Sequence, residues 1–178
     1  MIYFVRHGQT YDNANRIIQG DGPLTELGVN QAKETGNILK DIKFDICFCS
    51  PMLRTRQTLE QIITHHNYLK VVYDDRLKER MYGDVAGRPY DSVCDLDKRW
   101  YASTKYSNNI ETIEELYDRV ASFYDDIKEE WKDKTVLIVS HSGVGRVTDA
   151  YFNGKPESGD YTRFKMKNAE VAKFDYNK

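Results

Sequence analysis

Two histidines in this chain each follow a short apolar run, and one of them has an arginine beside it. Ile2-Tyr3-Phe4-Val5 leads into Arg6-His7-Gly8, and Thr135-Val136-Leu137-Ile138-Val139 leads into Ser140-His141-Ser142-Gly143. β-Branched and aromatic runs of this length read as strands. Both imidazoles are then expected at strand C-termini, where open α/β sheets bind ligands. Arg54 falls in the first turns of a helix expected to start at Ser50-Pro51, with Ser50 as N-cap and Pro51 at the first position. Helical side chains lean toward the N-terminus, so its guanidinium would lean back toward the strand ends, beside the free N–H groups and positive dipole end of that helix. Such a set suits an anion. A phosphomonoester dianion needs cations around its oxygens, a nucleophile in line and an acid for the leaving oxygen. Gly143 and Gly145, next to His141, are read as opening room for the ligand.

The elements that must hold these residues alternate along the chain. Residues 2–5 read as a strand and 8–24 as a loop rich in turn residues. Thr25 caps a helix to about Lys40, with Glu26 in its first turn and Leu27, Ala32, Ile38 and Leu39 as its apolar positions. A strand over 44–49 precedes the Ser50 helix, which runs to about His66; a third strand covers 69–73. Residues 74–110, acidic, aromatic and weakly periodic, read as a loop with short helical pieces. A long amphipathic helix over 111–131 carries Ile113, Leu116, Val120, Phe123 and Ile127 on one side. Residues 135–139 form the fourth strand, 144–152 a short helix, and 161–166 with 171–176 a pair of edge strands. Strand–helix alternation of this kind predicts a three-layer α/β/α sandwich with a mostly parallel central sheet, in a single domain over residues 1–178.

Bulk composition narrows the function. A net charge of −2 provides no global basic field to recruit nucleic acid, so any positive potential is local. No apolar stretch approaches a membrane span. The first residues lack the charged and apolar regions of a secretory signal, and the expected location is the cytoplasm. Three cysteines, Cys47, Cys49 and Cys94, do not suggest a disulfide framework. Cys47 and Cys49 read as buried, inert thiols on one face of a strand, without a second pair to complete a metal site. His65 and His66 read as exposed helix-end residues and Arg56 as a surface arginine. Gly143-Val144-Gly145 lacks the third glycine and the acidic residue of a nucleotide fingerprint.

Five ordered motifs resemble the histidine phosphatase superfamily, in its phosphoglycerate mutase-like branch. They are Arg6-His7-Gly8-Gln9-Thr10; Asn13 with Arg16-Ile17-Ile18-Gln19-Gly20, Pro23-Leu24-Thr25-Glu26-Leu27-Gly28 and Gln31-Ala32; Ser50-Pro51-Met52-Leu53-Arg54-Thr55-Arg56-Gln57-Thr58; Leu77-Lys78-Glu79-Arg80-Met81-Tyr82-Gly83; and Ser140-His141-Ser142-Gly143. The resemblance implies that His7 is the nucleophile and becomes a phosphohistidine. It implies that Arg6, Arg54 and His141 bind the phosphoryl oxygens, with Asn13 as a further phosphate-pocket residue. Glu79 is then the proton donor to the leaving alkoxide and afterwards the base that activates water. These roles ask His7 to be neutral and favour a charged His141. The Arg/His cluster takes the place of a metal, and no cofactor is implied.

Within such a family the expected activity is hydrolysis of a small phosphorylated metabolite. A cofactor-dependent phosphoglycerate mutase is the alternative. Such a mutase must exclude water and grip a carboxylate, for which Lys98-Arg99 are available, and Glu79-Arg80-Met81-Tyr82-Gly83 looks mutase-like. The stretch from Asn13 to Gly20 looks like the phosphatase side, and the compact segment from Arg80 to Ser140 leaves less lid. A non-catalytic phospho-ligand sensor is the third reading, although a pure binder has no use for a nucleophile and an acid together. Residues 84–110, with Arg88, Lys105, Tyr90, Trp100, Tyr101 and Tyr106, are expected to roof the pocket. Substrate identity and oligomeric state are not legible.

Overall fold

Alternation along three strands builds two apolar layers at once. The computed structural model describes residues 1–105 and 109–177, the side chain of Asp97 excepted; Tyr106, one of the aromatics expected over the pocket, lies outside them. Strands β1 (Ile2–Arg6), β2 (Ile46–Cys49), β3 (Val71–Tyr73), β4 (Val136–Ser140) and β5 (Val171–Phe174) form one sheet in the order β3-β2-β4-β1-β5. The first four are parallel, and β5 closes the edge antiparallel to β1. Because successive side chains point to opposite faces, Ile2, Phe4, Ile46, Phe48, Val136 and Ile138 enter one apolar cluster, and Val5, Cys47, Cys49, Leu137 and Val139 enter another.

Helices cover both faces, so the three-layer α/β/α arrangement with a mostly parallel sheet is observed. After a short α1 (Tyr11–Ala14), α2 (Glu26–Leu39) and α3 (Leu53–Ile62) close the second cluster through Leu39, Leu59 and Ile62. On the other face lie α4 (Ile113–Trp131) and α5 (Ser142–Asn153). The first of these buries Ile113, Leu116, Val120, Phe123 and Ile127, the stripe its periodicity predicts, and starts on a capping box between Thr112 and Glu115. Each such fully buried aliphatic or aromatic side chain contributes about 1.5–3 kcal/mol. Burial pushes the Cys47 thiol well up, and that of Cys49 up to about 12, as expected for inert core thiols. Among the described residues, no helix is long and apolar enough to cross a membrane.

Four local expectations are corrected. α2 does not bury Leu27 and Ile38, which are exposed; its inner face is Gly28, Ala32, Thr35, Gly36 and Leu39. Small residues there let the helix lie against α3. α3 starts at Leu53, not at Ser50, and its cap residue Met52 makes no side-chain capping bond. Instead Asp21, from a distant loop, accepts from the Leu53 N–H at 3.0 Å. His66 is buried, edge-on to Phe44. Residues 161–166 are not a strand. Tyr161–Arg163 is a 3₁₀ turn capped by Asp160, and the alternation there reflects burial of Tyr161 and Met166 rather than ladder pairing. Only Val171–Phe174 reaches the sheet.

The α2–α3 contact has no slack at Gly36, where an added Cβ would meet the Gln61 carbonyl oxygen at 3.0 Å and the Ile62 Cα at 3.2 Å. A Gly36→Val substitution is expected to lower stability by about 1–3 kcal/mol through overpacking. On the exposed face of the same helix, Leu27→Ala is expected to stay within about 0.5 kcal/mol. Urea unfolding of the two variants checks this; equal effects would contradict the packing described.

Candidate active site

The parallel pairing of β1 with β4 brings the two histidines together. In that register Arg6 lies opposite Ser140, so the next residues, His7 and His141, leave the sheet side by side. The His7 N–H continues the ladder by donating to the Ser140 carbonyl at 3.0 Å, and the ring centroids stand 5.3 Å apart. β2 flanks β4 on its other side, and Ser50, at its end, places its hydroxyl 2.8 Å from His141 Nε2. The Ser50 expected to cap a helix is therefore engaged with the second histidine.

Arg54, buried in the first turn of α3, joins the two rings. Its Nε–H is shared between His7 Nε2 and His141 Nδ1, at 3.2 Å each, while Nη1 donates to the Gly20 carbonyl at 2.9 Å and approaches Asp21 at 3.4 Å. These partners assign the tautomers. His7 Nδ1 lies 2.7 Å from the Gly8 carbonyl, which can only accept, so Nδ1 carries the proton and Nε2 presents a lone pair. His141 Nδ1 accepts from Arg54, which leaves its proton on Nε2, donated to Ser50. Burial, then the charges of Arg54 and Arg6, hold the His7 imidazole well below its ordinary value of 6.5. His141 is depressed for the same reasons, burial first and Arg54 next. The neutral His7 required by the chemistry is thus built in. A charged His141 is not: its neighbours are cations, and Arg54 occupies its second nitrogen.

The remaining candidates face one cavity of about 260 Å³, lined among others by Arg6, His7, Asn13, Arg54 and Glu79. Arg6 ends β1; its Nη1 donates to the Met166 carbonyl at 2.7 Å, and its buried Nε has no partner among the described residues. Burial is the main influence lowering its pKa. Asn13 sits in α1, and its Oδ1 accepts from the Thr10 N–H and from Asn168, both at 3.2 Å. What it can offer an anion is its amide N–H₂. The Glu79 carboxylate accepts from the Arg80 N–H at 2.9 Å and from the Gly143 N–H, at the start of α5, at 3.1 and 3.2 Å. Gly143 makes that approach possible, since a Cβ there would lie 2.2 Å from Glu79 Oε1. The close fit at Gly8 and Gly28 is of the same kind: a Cβ on Gly28 would stand 2.0 Å from the Gln9 carbonyl oxygen. These glycines seat the loop after β1 on α2. Gly145, read as room for a ligand, instead packs against Met166 and Phe4.

3₁₀ turns at Tyr90–Ser92 and Leu96–Trp100 contribute Tyr90, Leu96, Arg99 and Trp100 to the cavity lining, and near them, with a further turn at Gly83–Val85, lies a small core of Ile18, Tyr82, Val85, Leu96 and Ile110. Tyr82, Tyr90, Arg99 and Trp100 face inward, but Lys98 pairs with Asp95 outside. Arg146 on α5 and Lys165 also line the wall. Sequence reasoning missed both: Arg146 lies five residues past His141, outside the motif that contains it, and Lys165 sits where a strand was expected. Arg80, quoted only as part of a motif, is fully buried, its Nε donating to the Glu111 carbonyl at 2.5 Å and its Nη1 to the Arg99 carbonyl.

Known proteins resemble this chain in sequence and in fold. The chain is 38% identical over 159 residues to the uncharacterized phosphatase PhoE of Bacillus subtilis, covering 88% of this chain and 79% of that one. It is 33% identical over 158 residues to the fructose-2,6-bisphosphatase TIGAR of Xenopus tropicalis, but spans only 58% of that relative's length. The solved structure of YhfR from Bacillus stearothermophilus superposes with a TM-score of 0.86 at 26% identity, covering 96% of this chain and 88% of that one. Residues 2–178 match the histidine phosphatase superfamily (branch 1) as a whole, and the chain belongs to that family.

Proposed function

We propose that the chain is a phosphomonoester hydrolase that works without a metal, through a phosphohistidine on His7, on a small phosphorylated metabolite. The observation that carries this is the His7 tautomer: its Nε2 holds a lone pair, engaged at rest, among the described residues, only by the long, shared Arg54 Nε–H, and His7 lines a cavity together with Arg6, Arg54 and Glu79. In the first step His7 Nε2 attacks phosphorus and the ester oxygen departs with a proton from Glu79. In the second, Glu79 takes a proton from water as that water attacks the phosphohistidine, returning His7 and releasing phosphate. Arg6 and Arg54 neutralise the charge that builds on the phosphoryl oxygens, with Asn13 donating through its amide. His141 serves in its neutral form, holding Arg54 on one side and Ser50 on the other. The names of the phosphatase relatives support hydrolysis. A cytoplasmic location and a single catalytic unit over 1–178 belong to the same proposal, supported by the free cysteines and by one sheet that carries both histidines.

The direct test is phosphate release from p-nitrophenyl phosphate with EDTA present. The wild type is expected to turn over, and His7→Ala to lose activity by roughly 10³-fold or more, as removal of a nucleophile does. Turnover surviving in His7→Ala overturns the reading. Interconversion of 2- and 3-phosphoglycerate without phosphate release would make the chain a mutase instead, and binding without turnover a sensor.

The pH dependence follows from the environment of His7. Burial and the two guanidinium groups disfavour the imidazolium, so the nucleophile stays in its base form as pH falls past 6.5. The acid limb of kcat/KM, corrected for substrate ionisation, is therefore expected below that pH. An acid limb centred at or above it would contradict the account.

A further inference from the structure

Glu79 lies in a stretch without regular structure, between the 3₁₀ turns Asp75–Leu77 and Gly83–Val85. Backbone groups in such a stretch have no ladder to fix them. Here they are fixed by one ion pair. Arg119, on the second turn of α4, donates through Nη1 to the carbonyls of Arg76 at 2.6 Å and Lys78 at 2.9 Å, and through Nη2 to the carbonyl of Glu79 itself at 3.1 Å. Its other two N–H bonds go to Glu111, from Nε at 2.5 Å and from Nη2 at 2.9 Å. All five guanidinium donors are used. Glu111, whose carboxylate is buried, turns back on the same stretch. Its Oε2 accepts from the Met81 N–H at 2.9 Å, and its own N–H donates to the Met81 carbonyl. The backbone is thus gripped on both sides of Glu79 by two side chains that do not line the cavity.

We propose that the Arg119–Glu111 pair is a positioning device for the proton donor: it holds Glu79 in the slot at Gly143. The inference rests on the function proposed above. That slot has little tolerance, because the carboxylate occupies the place a Cβ on Gly143 would take. Lysine has no fork and only three donors on one nitrogen, so it cannot reproduce the five-bond arrangement. An ångström of displacement at a reacting group costs on the order of 10²-fold in rate.

A misplaced proton donor has a signature that a general loss of structure lacks. An ester with a poor leaving group depends on the donor, and one with a good leaving group depends on it much less. The experiment measures kcat/KM on phenyl phosphate and p-nitrophenyl phosphate for the wild type, Arg119→Lys, Glu111→Gln, Glu79→Gln and the Arg119→Lys/Glu79→Gln double variant. Arg119→Lys is expected to lower the phenyl phosphate value at least about tenfold and the p-nitrophenyl phosphate value less than about threefold. In the Glu79→Gln background it should change either value by less than about twofold, since it acts only through Glu79. Glu111→Gln, nearly isosteric, is expected to show the same split and keeps the test open if Arg119→Lys fails to fold. Equal losses on the two esters, or losses that add fully to those of Glu79→Gln, overturn the inference. Turnover that survives in His7→Ala is a different failure, that of the underlying reading.

Discussion

The site depends on the register of β1 against β4. Arg6 opposite Ser140 means that the two chains leave the sheet at the same level, so His7 and His141 stand ring to ring and one N–H of Arg54 reaches both. A slip of one residue would reverse the faces of every side chain on β1. Val5 would then enter the α4–α5 layer and Phe4 the tighter α2–α3 layer. The same alternation that fills the two cores therefore fixes the distance between the two imidazoles, and the chemistry inherits its precision from packing. β5 adds to this from the other edge of β1, and the loop before it meets Arg6 and His7 directly: Ala169 N–H and Asn168 donate to the His7 carbonyl, and the Glu170 carbonyl accepts from the Arg6 N–H.

Electrostatics set the state in which the site waits. Two arginines and two histidines lie at the ends of the adjacent strands β1 and β4 and at the start of α3, and burial penalises charge on all four. Carboxylates offset part of that cost for the arginines, Glu79 and Glu170 at Arg6 and Glu79 and Asp21 at Arg54, and carbonyl acceptors are supplied at Met166 and Gly20. The histidines yield and stay neutral. Such a division gives a cavity that is cationic where an anion would lie and nucleophilic where its phosphorus would be.

Much of this was legible in the residues. Strand–helix alternation gave the layers, and the stripe of α4 appeared as its periodicity predicts. Five of the six candidate residues, Arg6, His7, Asn13, Arg54 and Glu79, line one cavity, and the sixth, His141, is buried behind it against Arg54 and Ser50. What could not be read has physical causes. The inner face of α2 is small rather than apolar, so a search for large hydrophobic residues picks out Leu27 and Ile38, which face water. Ser50-Pro51 has the form of a helix start, but the serine is claimed by His141 and the cap comes from Asp21, which is remote in sequence. The expectation of a charged His141 considered the ligand alone; the proton on Nε2 is set by Arg54 and Ser50. Arg146 and Arg119 carried no local signal: Arg146 donates to Tyr161, 15 residues on, and Arg119, besides pairing with Glu111, reaches the carbonyls of Arg76, Lys78 and Glu79, 40 to 43 residues back.

The central claim is that phosphorus is accepted by Nε2 of His7. Rapid acid-free quenching of the enzyme during turnover of p-nitrophenyl phosphate, followed by peptide mapping, tests it most directly. The account predicts one phosphoryl group, acid-labile and alkali-stable, on the peptide that contains His7, formed as fast as the first turnover releases p-nitrophenol. A phosphoryl group on any other residue, or steady turnover with no covalent phosphorus on His7 at any time, would contradict it.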